Sequence, residues 1–310
     1  MIGHKHTSIT IRMVSAIILA YNRCFEVLFT IDKLKEYRQT LPFEFEIIVI
    51  DNGSVDDTTP QIKKNHPNIK LITKEKNNGI AGWNEGFKVA KNKYFLVLDD
   101  DSHIQSGLTE AINYMELNND IGIIALNIED GLLREHSILA NSKWKDKQEI
   151  EGFIGCGAII KREVYEKIGG FAEWIYVYTH EFEYSLRCLY AGYEIRFFQN
   201  AVVCHRTNAA NRTNRRIRLF ATRNEMALVY KFFPKRRWRY ILRVWANNMK
   251  LMKAEGFASG YNIILGGMEF LKMRKNLKYT PVSMEVQKYF TDRCEATRPI
   301  FAKVLKEIFH

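Results

Sequence analysis

Several things are missing from this chain, and each absence removes a class of protein. There are five cysteines (Cys24, Cys156, Cys188, Cys204 and Cys294), an odd number with no Cys-x-x-Cys pair. That argues against a disulfide framework or a zinc knuckle and for a reducing compartment. Long apolar runs are absent too. Val14–Tyr21 is too short to cross a bilayer, and Gly256–Leu271 is interrupted by Asn262 and Glu269. The polar stretch Met1–Arg12 lacks the apolar core of a signal peptide. The expectation is a cytoplasmic protein, either free or peripheral on the inner face of a membrane. No glycine follows the first apolar run, which ends in Ala20-Tyr21-Asn22-Arg23-Cys24. A dinucleotide-dependent oxidoreductase needs Gly-x-Gly-x-x-Gly there. A nucleotidyltransferase that makes nucleotide sugars needs a Gly-rich phosphate loop bearing Arg and Lys, and none is present. We find no internal repeat and no low-complexity segment.

What is present is enough chain for one large core and a small second domain: 310 residues, 46% hydrophobic and 26% charged. The net charge of +11 favours anionic partners. The basic excess lies after His205, in Arg206, Arg212, Arg215, Arg216, Arg218, Arg223, Lys231, Lys235, Arg236, Arg237, Arg239 and Arg243. Strands are predicted at Val14–Ala20, Phe45–Ile50, Ile69–Thr73 and Tyr94–Leu98, and helices at Arg23–Gln39, Thr58–Asn65 and Ile80–Asn92. Strands apolar on both faces and alternating with helices predict a parallel sheet covered on both sides. Ligands of such sheets bind outside the carboxyl ends of the strands. Acidic residues fall at those ends, at Asp51 and at Asp99-Asp100-Asp101.

Three adjacent carboxylates repel one another unless a cation or donors lie close. A divalent ion held by one or two of them and by phosphate oxygens is the usual arrangement with a nucleotide; the plain alternative is a solvated acidic turn. Asp51 stands in Val49–Thr58 (VIDNGSVDDT), where capping would explain Ser54, Asp56 and Asp57 but leaves Asp51 unexplained.

These segments resemble the family 2 glycosyltransferases. The likeness begins in Ser15–Arg23 (SAIILAYNR), continues through Val49–Thr58 and through Asn77–Gly86 (NNGIAGWNEG), and reaches Asp99–Asp101, similar to the family's Asp-x-Asp metal motif. Gly155–Arg162 (GCGAIIKR), Ile168–Phe171 (IGGF) and His180–Arg187 (HEFEYSLR) extend it. Many members carry Glu-Asp-x-Asp-Leu before the Arg; here His180, Glu181 and Glu183 replace those acids. The resemblance implies the α/β fold called GT-A: a mostly parallel nucleotide-binding sheet flanked by helices, over residues 12–212, with a basic, mainly helical C-terminal region over 213–310. It implies an inverting, metal-dependent transfer of a hexosyl or deoxyhexosyl group from a nucleotide-sugar donor, UDP- or dTDP-linked, to a glycan or lipid-linked glycan in cell-surface polysaccharide synthesis. The His-Glu-x-Glu segment, the Asn-x-Gly helix and the following Cys204-His205 are similar to those of bacterial rhamnosyl- and galactofuranosyltransferases. By alignment on Arg187, Glu181 is the implied catalytic base, and Glu183 the alternative. Asp99, Asp101 and His205 are the implied ligands of Mn²⁺ or Mg²⁺. Ala20, Tyr21, Arg23, Asp51, Asn84 and Asp100 are the implied nucleotide contacts, and Gly155–Gly157 is expected to leave room for the acceptor.

Without the resemblance, Glu181 and Glu183 read as a helix turn paired with Arg187, and a lone His after an apolar strand as structural. A nucleic-acid-binding protein would suit the charge and the Asn211–Arg218 run, but it leaves the three aspartates unexplained, so no nucleic acid is expected. A non-catalytic relative is the other alternative. In the C-terminal region Trp238, Ile241, Leu242, Trp245, Met249 and Met252 recur at helical spacing beside Arg239, Arg243 and Lys250. That face is compatible with an anionic membrane, with packing on the catalytic domain, or with a homodimer.

Overall fold

The computed structural model describes residues 13–130, 144–206, 214–294 and 297. Met1–Arg12, Arg212 and the start of the Asn211–Arg218 run lie outside the described residues.

Among the described residues eight strands form one curled sheet: β1 Met13–Ala20, β2 Glu44–Asp51, β3 Lys70–Thr73, β4 Tyr94–Asp99, β5 Ser102–Ser106, β6 Ile121–Asp130, β7 Ala158–Lys161 and β8 Glu194–His205. Their order is β3-β2-β1-β4-β7-β6-β8-β5. The first four strands are parallel, as expected, and β6 and β8 are also parallel. The pairings β4–β7, β6–β7 and β5–β8 are antiparallel. An apolar run carries no information about strand direction, so the second half of the sheet was not legible in the pattern.

Helices α1 Cys24–Arg38, α2 Thr58–Asn65, α3 Trp83–Val89, α4 Leu108–Leu117, α5 Arg162–Ile168 and α6 His180–Tyr190 accompany the sheet. Two buried apolar clusters hold it. One, around Ile18, Val49, Leu96 and Leu126, takes in Val27 and Ile31 of α1 and Ile112 of α4. The other, around Ile17, Ile48 and Val97, takes in Trp83 and Phe87 of α3.

The helix expected over Ile80–Asn92 forms as a 3₁₀ turn, Gly79–Gly82, followed by α3, and the chain is extended again at Ala90. Glycine is required where this segment meets the sheet. A Cβ at Gly86 would come within 2.3 Å of Ile17, and one at Gly82 within 2.4 Å of Leu19.

The C-terminal part is helical: α7 Asn214–Phe232, α8 Arg237–Met249, α9 Met252–Glu255, α10 Phe257–Met273 and α11 Met284–Arg293. Its buried residues, among them Leu228, Phe233, Val244, Phe270 and Phe290, form a third cluster that includes Leu186 of α6. The region is thus packed directly onto the helix that carries Glu181.

Candidate active site

Parallel register aligns the carboxyl ends of β1, β2 and β4, with Ala20 opposite Asp51 and Leu19 opposite Asp99. Beyond β4 the chain turns through Asp100 and Asp101 into β5. The Asp99 N–H donates to Ser102 Oγ at 2.9 Å, which closes that turn. Strand β5 then pairs with β8 in a register that sets Ser102 against His205. The curl of the sheet therefore returns the end of β8 to the end of β4.

The acidic turn is buried rather than solvated: Asp100 and Asp101 are 6% and 3% exposed. Arg23 lies against both, with Nη1 3.0 Å from Asp100 Oδ1 and 2.8 Å from Asp101 Oδ2. The Tyr21 N–H faces the other Asp100 oxygen at 3.4 Å. Burial pushes the Asp100 carboxyl well above the usual carboxylate range, and the charges of Asp101 and Asp99 add to this against the pull of Arg23. Burial acts on Asp101 in the same direction, but His205 and Arg23 outweigh it and hold that pKa below its ordinary value. His205 Nε2 lies 3.3 Å from Asp101 Oδ1. Beyond that ion-pair contact this buried oxygen has no hydrogen-bond partner.

Asp99, His205 and Cys156 also converge, with one ligand atom from each within 4.8 Å of the others. Cysteine spacing in the sequence carries no sign of this role for Cys156, whose neighbours here are distant in the chain. Arg206, counted there merely as charge, braces the turn. Its N–H donates to the Asp101 carbonyl at 2.8 Å, and its guanidinium reaches Glu26 and Thr30 of α1. Thr30 in turn donates to the Asp100 carbonyl at 2.7 Å.

Asp51 is buried at the end of β2, and its carboxylate accepts from the Ser54 N–H and the Thr59 hydroxyl. It therefore organises its own turn. The Ala20 carbonyl accepts from the Asn52 N–H. Asn22, with a left-handed φ of 52°, ties the two loops together: its N–H donates to Ser54 Oγ and its side chain accepts from the Val55 N–H. Asn84 is not turned toward this cluster. Its amide accepts from the Phe171 N–H and donates to the Phe171 carbonyl, both at 2.8 Å.

The two glutamates of α6 divide. Glu183 is 2% exposed and forms a bidentate pair with Arg187 at 2.9 and 2.7 Å. Glu181 is partly exposed, with Oε1 3.3 Å from the Gly155 N–H and Oε2 3.1 Å from His180 Nδ1. His180 is buried between Trp83 and Phe171, and burial lowers its pKa, favouring the neutral ring. Gly155 and Gly157 do not leave open space. A Cβ at Gly155 would meet His180 at 2.7 Å, and one at Gly157 would meet Ile128 at 2.4 Å. Consecutive residues link the two centres, because Gly155 contacts Glu181 and Cys156 contacts the Asp99–His205 group.

Helix α6 is entered through Tyr178 and Thr179, both left-handed, with φ of 64° and 68°. For bulky and β-branched residues that conformation is strained.

A sequence model of glycosyl transferase family 2 matches residues 15–169, half of the chain. The chain belongs to glycosyl transferase family 2. The same residues of this family 2 chain carry the β1 to β7 core and the Asp99–Asp101 turn. It is 35% identical over 99 residues to a poly(ribitol-phosphate) beta-glucosyltransferase of Bacillus spizizenii, covering 30% of this chain and 15% of that one. It is 28% identical over 145 residues to a dolichyl-phosphate beta-glucosyltransferase of Dictyostelium discoideum, covering 41% and 44%. Matches to the first curated relatives span only 15 to 18% of their length. Among solved structures, the mannosyltransferase PcManGT from Pyrobaculum calidifontis, in complex with GDP-Man and Mn²⁺, superposes with a TM-score of 0.56 at 16% identity, over 96% of this chain and 80% of that one. At that identity the likeness speaks to fold alone, and the fold of this family 2 chain is GT-A.

Proposed function

We propose that the chain is an inverting glycosyltransferase. In this reading it moves a hexosyl or deoxyhexosyl group from a UDP- or dTDP-linked donor to a hydroxyl of a glycan or lipid-linked glycan in cell-surface polysaccharide synthesis, on the cytoplasmic side. One observation carries the reading: a carboxylate–imidazole group at the strand ends is joined through Gly155-Cys156 to a partly exposed carboxylate, Glu181.

Mn²⁺ or Mg²⁺ fits Asp99, Asp101 and His205, with Cys156 beside them. The buried Asp101 Oδ1, which has no polar partner beyond His205, and the convergence of the other three side chains support this. The Mn²⁺ named in the Pyrobaculum complex supports it as well. A bound ion supplies charge neutralisation at the departing diphosphate. Ala20, Tyr21, Arg23, Asp51 and Asp100 form the nucleotide end of the cleft, and Asn84 acts at second hand by fixing the Phe171 loop. Glu181 takes the proton of the acceptor hydroxyl as its oxygen bonds to the anomeric carbon and the bond to the diphosphate breaks. Such a base contributes roughly 10²–10⁴ in rate. Glu183 keeps Arg187 in place. Residues 12–212 are the catalytic unit, and the helices of 213–310 brace it.

The test is a panel of nucleotide sugars, screened for thermal stabilisation and for hydrolysis with Mn²⁺, with Mg²⁺ and with chelator. Stabilisation and ion-dependent hydrolysis by one donor are expected. No response to any donor with either ion overturns the reading.

A further inference from the structure

The apolar face expected on one C-terminal helix is divided in the structure. Ile241 and Val244 of α8 are buried with Phe270 of α10, whereas Trp238, Leu242 and Trp245 are exposed. Helix α10 presents a second exposed stripe, Phe257, Tyr261, Ile264, Met268 and Leu271, at steps of three and four residues that keep it on one side. Phe257, Leu242 and Tyr261 are 88%, 64% and 63% exposed. Two contacts join the stripes. The Trp245 indole lies across α10 at Gly267, where a Cβ would sit 3.5 Å from the ring. The Arg274 guanidinium stands 5.2 Å over the Trp238 ring. Two adjacent helices thus share one exposed apolar surface of the kind that marks an interaction site.

The charge around that surface is one-sided. Residues 235–275 hold ten lysines and arginines against two acids, Glu255 and Glu269, a net +8 of the chain's +11. Of those two acids, Glu255 is paired with Arg218 and Glu269 with Lys272. A second copy on this face would oppose +8 to +8. A nucleic acid would meet the arginines but leave the Leu, Ile and Met stripe against phosphate and water. Among the described residues no helix is long and apolar enough to cross a membrane. An amphipathic pair with a Trp- and Phe-bearing apolar face, rimmed by Arg and Lys, has the chemistry of a helix lying in the plane of an anionic bilayer surface.

We propose that the α8–α10 face docks the protein on anionic lipid, with Leu242, Trp245, Phe257, Ile264 and Met268 at the headgroup boundary and the basic rim on the phosphates. This does not rest on the reading of the active site. Vesicle flotation of the full chain tests it, using phosphatidylcholine alone and phosphatidylcholine mixed with phosphatidylglycerol. The expected result is flotation with the anionic mixture only, weakened by salt. Arg239→Glu, Lys253→Glu and Lys275→Glu together should lower partitioning at least about 100-fold, and Leu242→Ser, Ile264→Ser and Met268→Ser together at least about 10-fold. The substituted positions are exposed or rim positions, so both variants should keep the wild-type thermal transition, which separates lost docking from lost folding. The proposal is overturned by equal flotation with neutral vesicles. It is also overturned by absence of flotation at low salt, whether sedimentation then shows a dimer abolished by the serine variant or a gel shift shows nucleic-acid binding abolished by the glutamate variant.

Discussion

The Asn224 amide of α7 donates to the Tyr178 carbonyl at 3.0 Å and to the Val177 carbonyl at 2.8 Å. Asn224 is fully buried, and the carbonyls it holds belong to the left-handed turn that opens the helix bearing Glu181. A residue of the C-terminal helices thereby holds the turn that leads into α6. Asn224→Ala leaves two buried carbonyls short of a donor, which costs about 2 kcal/mol. We expect a lower urea midpoint and kcat reduced about tenfold, with the nucleoside diphosphate Kd unchanged. A kcat equal to wild type would show that the turn holds without this amide.

Glu181 and Glu183 should separate cleanly. Glu181→Gln keeps size and polarity at a partly exposed position but cannot take a proton. Its stability should stay within about 0.5 kcal/mol of wild type, while transfer falls roughly 10²-fold or more at unchanged nucleotide affinity. Glu183→Gln takes the charge partner from a half-buried guanidinium, and its loss should appear as about 2 kcal/mol of stability. If the Glu183 variant folds as wild type and loses more activity than the Glu181 variant, the two roles are reversed.

Arg23 is the cation now facing Asp100 and Asp101. Arg23→Met leaves two buried carboxylates without it, a loss of about 3 kcal/mol in chelator. Mn²⁺ should restore part of that loss in the variant and do less in the wild type. Denaturant melts of both proteins with and without Mn²⁺ measure this, and an ion with no effect on the variant counts against a cation site at this turn.

Calorimetry with a nucleoside diphosphate tests the ion directly. Binding should weaken at least tenfold in chelator and by a similar factor in Asp101→Asn. Cys156→Ser should weaken Cd²⁺ binding more than Mn²⁺ binding, since a thiol prefers the softer ion. Equal affinity with and without chelator would remove the ion from donor binding.

His103 sets a pH dependence of stability. Burial, with Arg206 and Lys33 beside it, lowers its pKa from 6.5 to about 4. Its Nδ1 accepts from the Arg206 guanidinium at 2.8 Å, which requires the neutral ring. Between those two values the unfolded chain binds a proton that the folded chain refuses. The stability contributed by the neutral ring is therefore complete above pH 6.5 and is lost as the pH falls toward about 4, to a total of about 3 kcal/mol. Urea titrations across that window should show the slope, and His103→Asn should flatten it. An unchanged slope in the variant would mean that other groups carry the dependence.

The sequence by itself determined the alternation of strands and helices and the placing of Ala20, Asp51 and Asp99 at strand ends. Those signals are local: an apolar run that stops at an acid is visible within ten residues, and parallel strands then bring such ends to one edge. The tertiary structure alone decided the rest. Strand direction in the second half, the return of His205 to Asp101 and the arrival of Cys156 depend on which distant segments pair, and periodicity does not encode that. Asn84 matches the motif but is taken up by Phe171, and the glycines at 155 and 157 accommodate His180 and Ile128. Glu181 and Glu183 lie two positions apart on one helix and look alike in sequence. Packing buries one against Arg187 and leaves the other partly exposed, and a carboxylate's chemistry is fixed by its neighbours and its access to water.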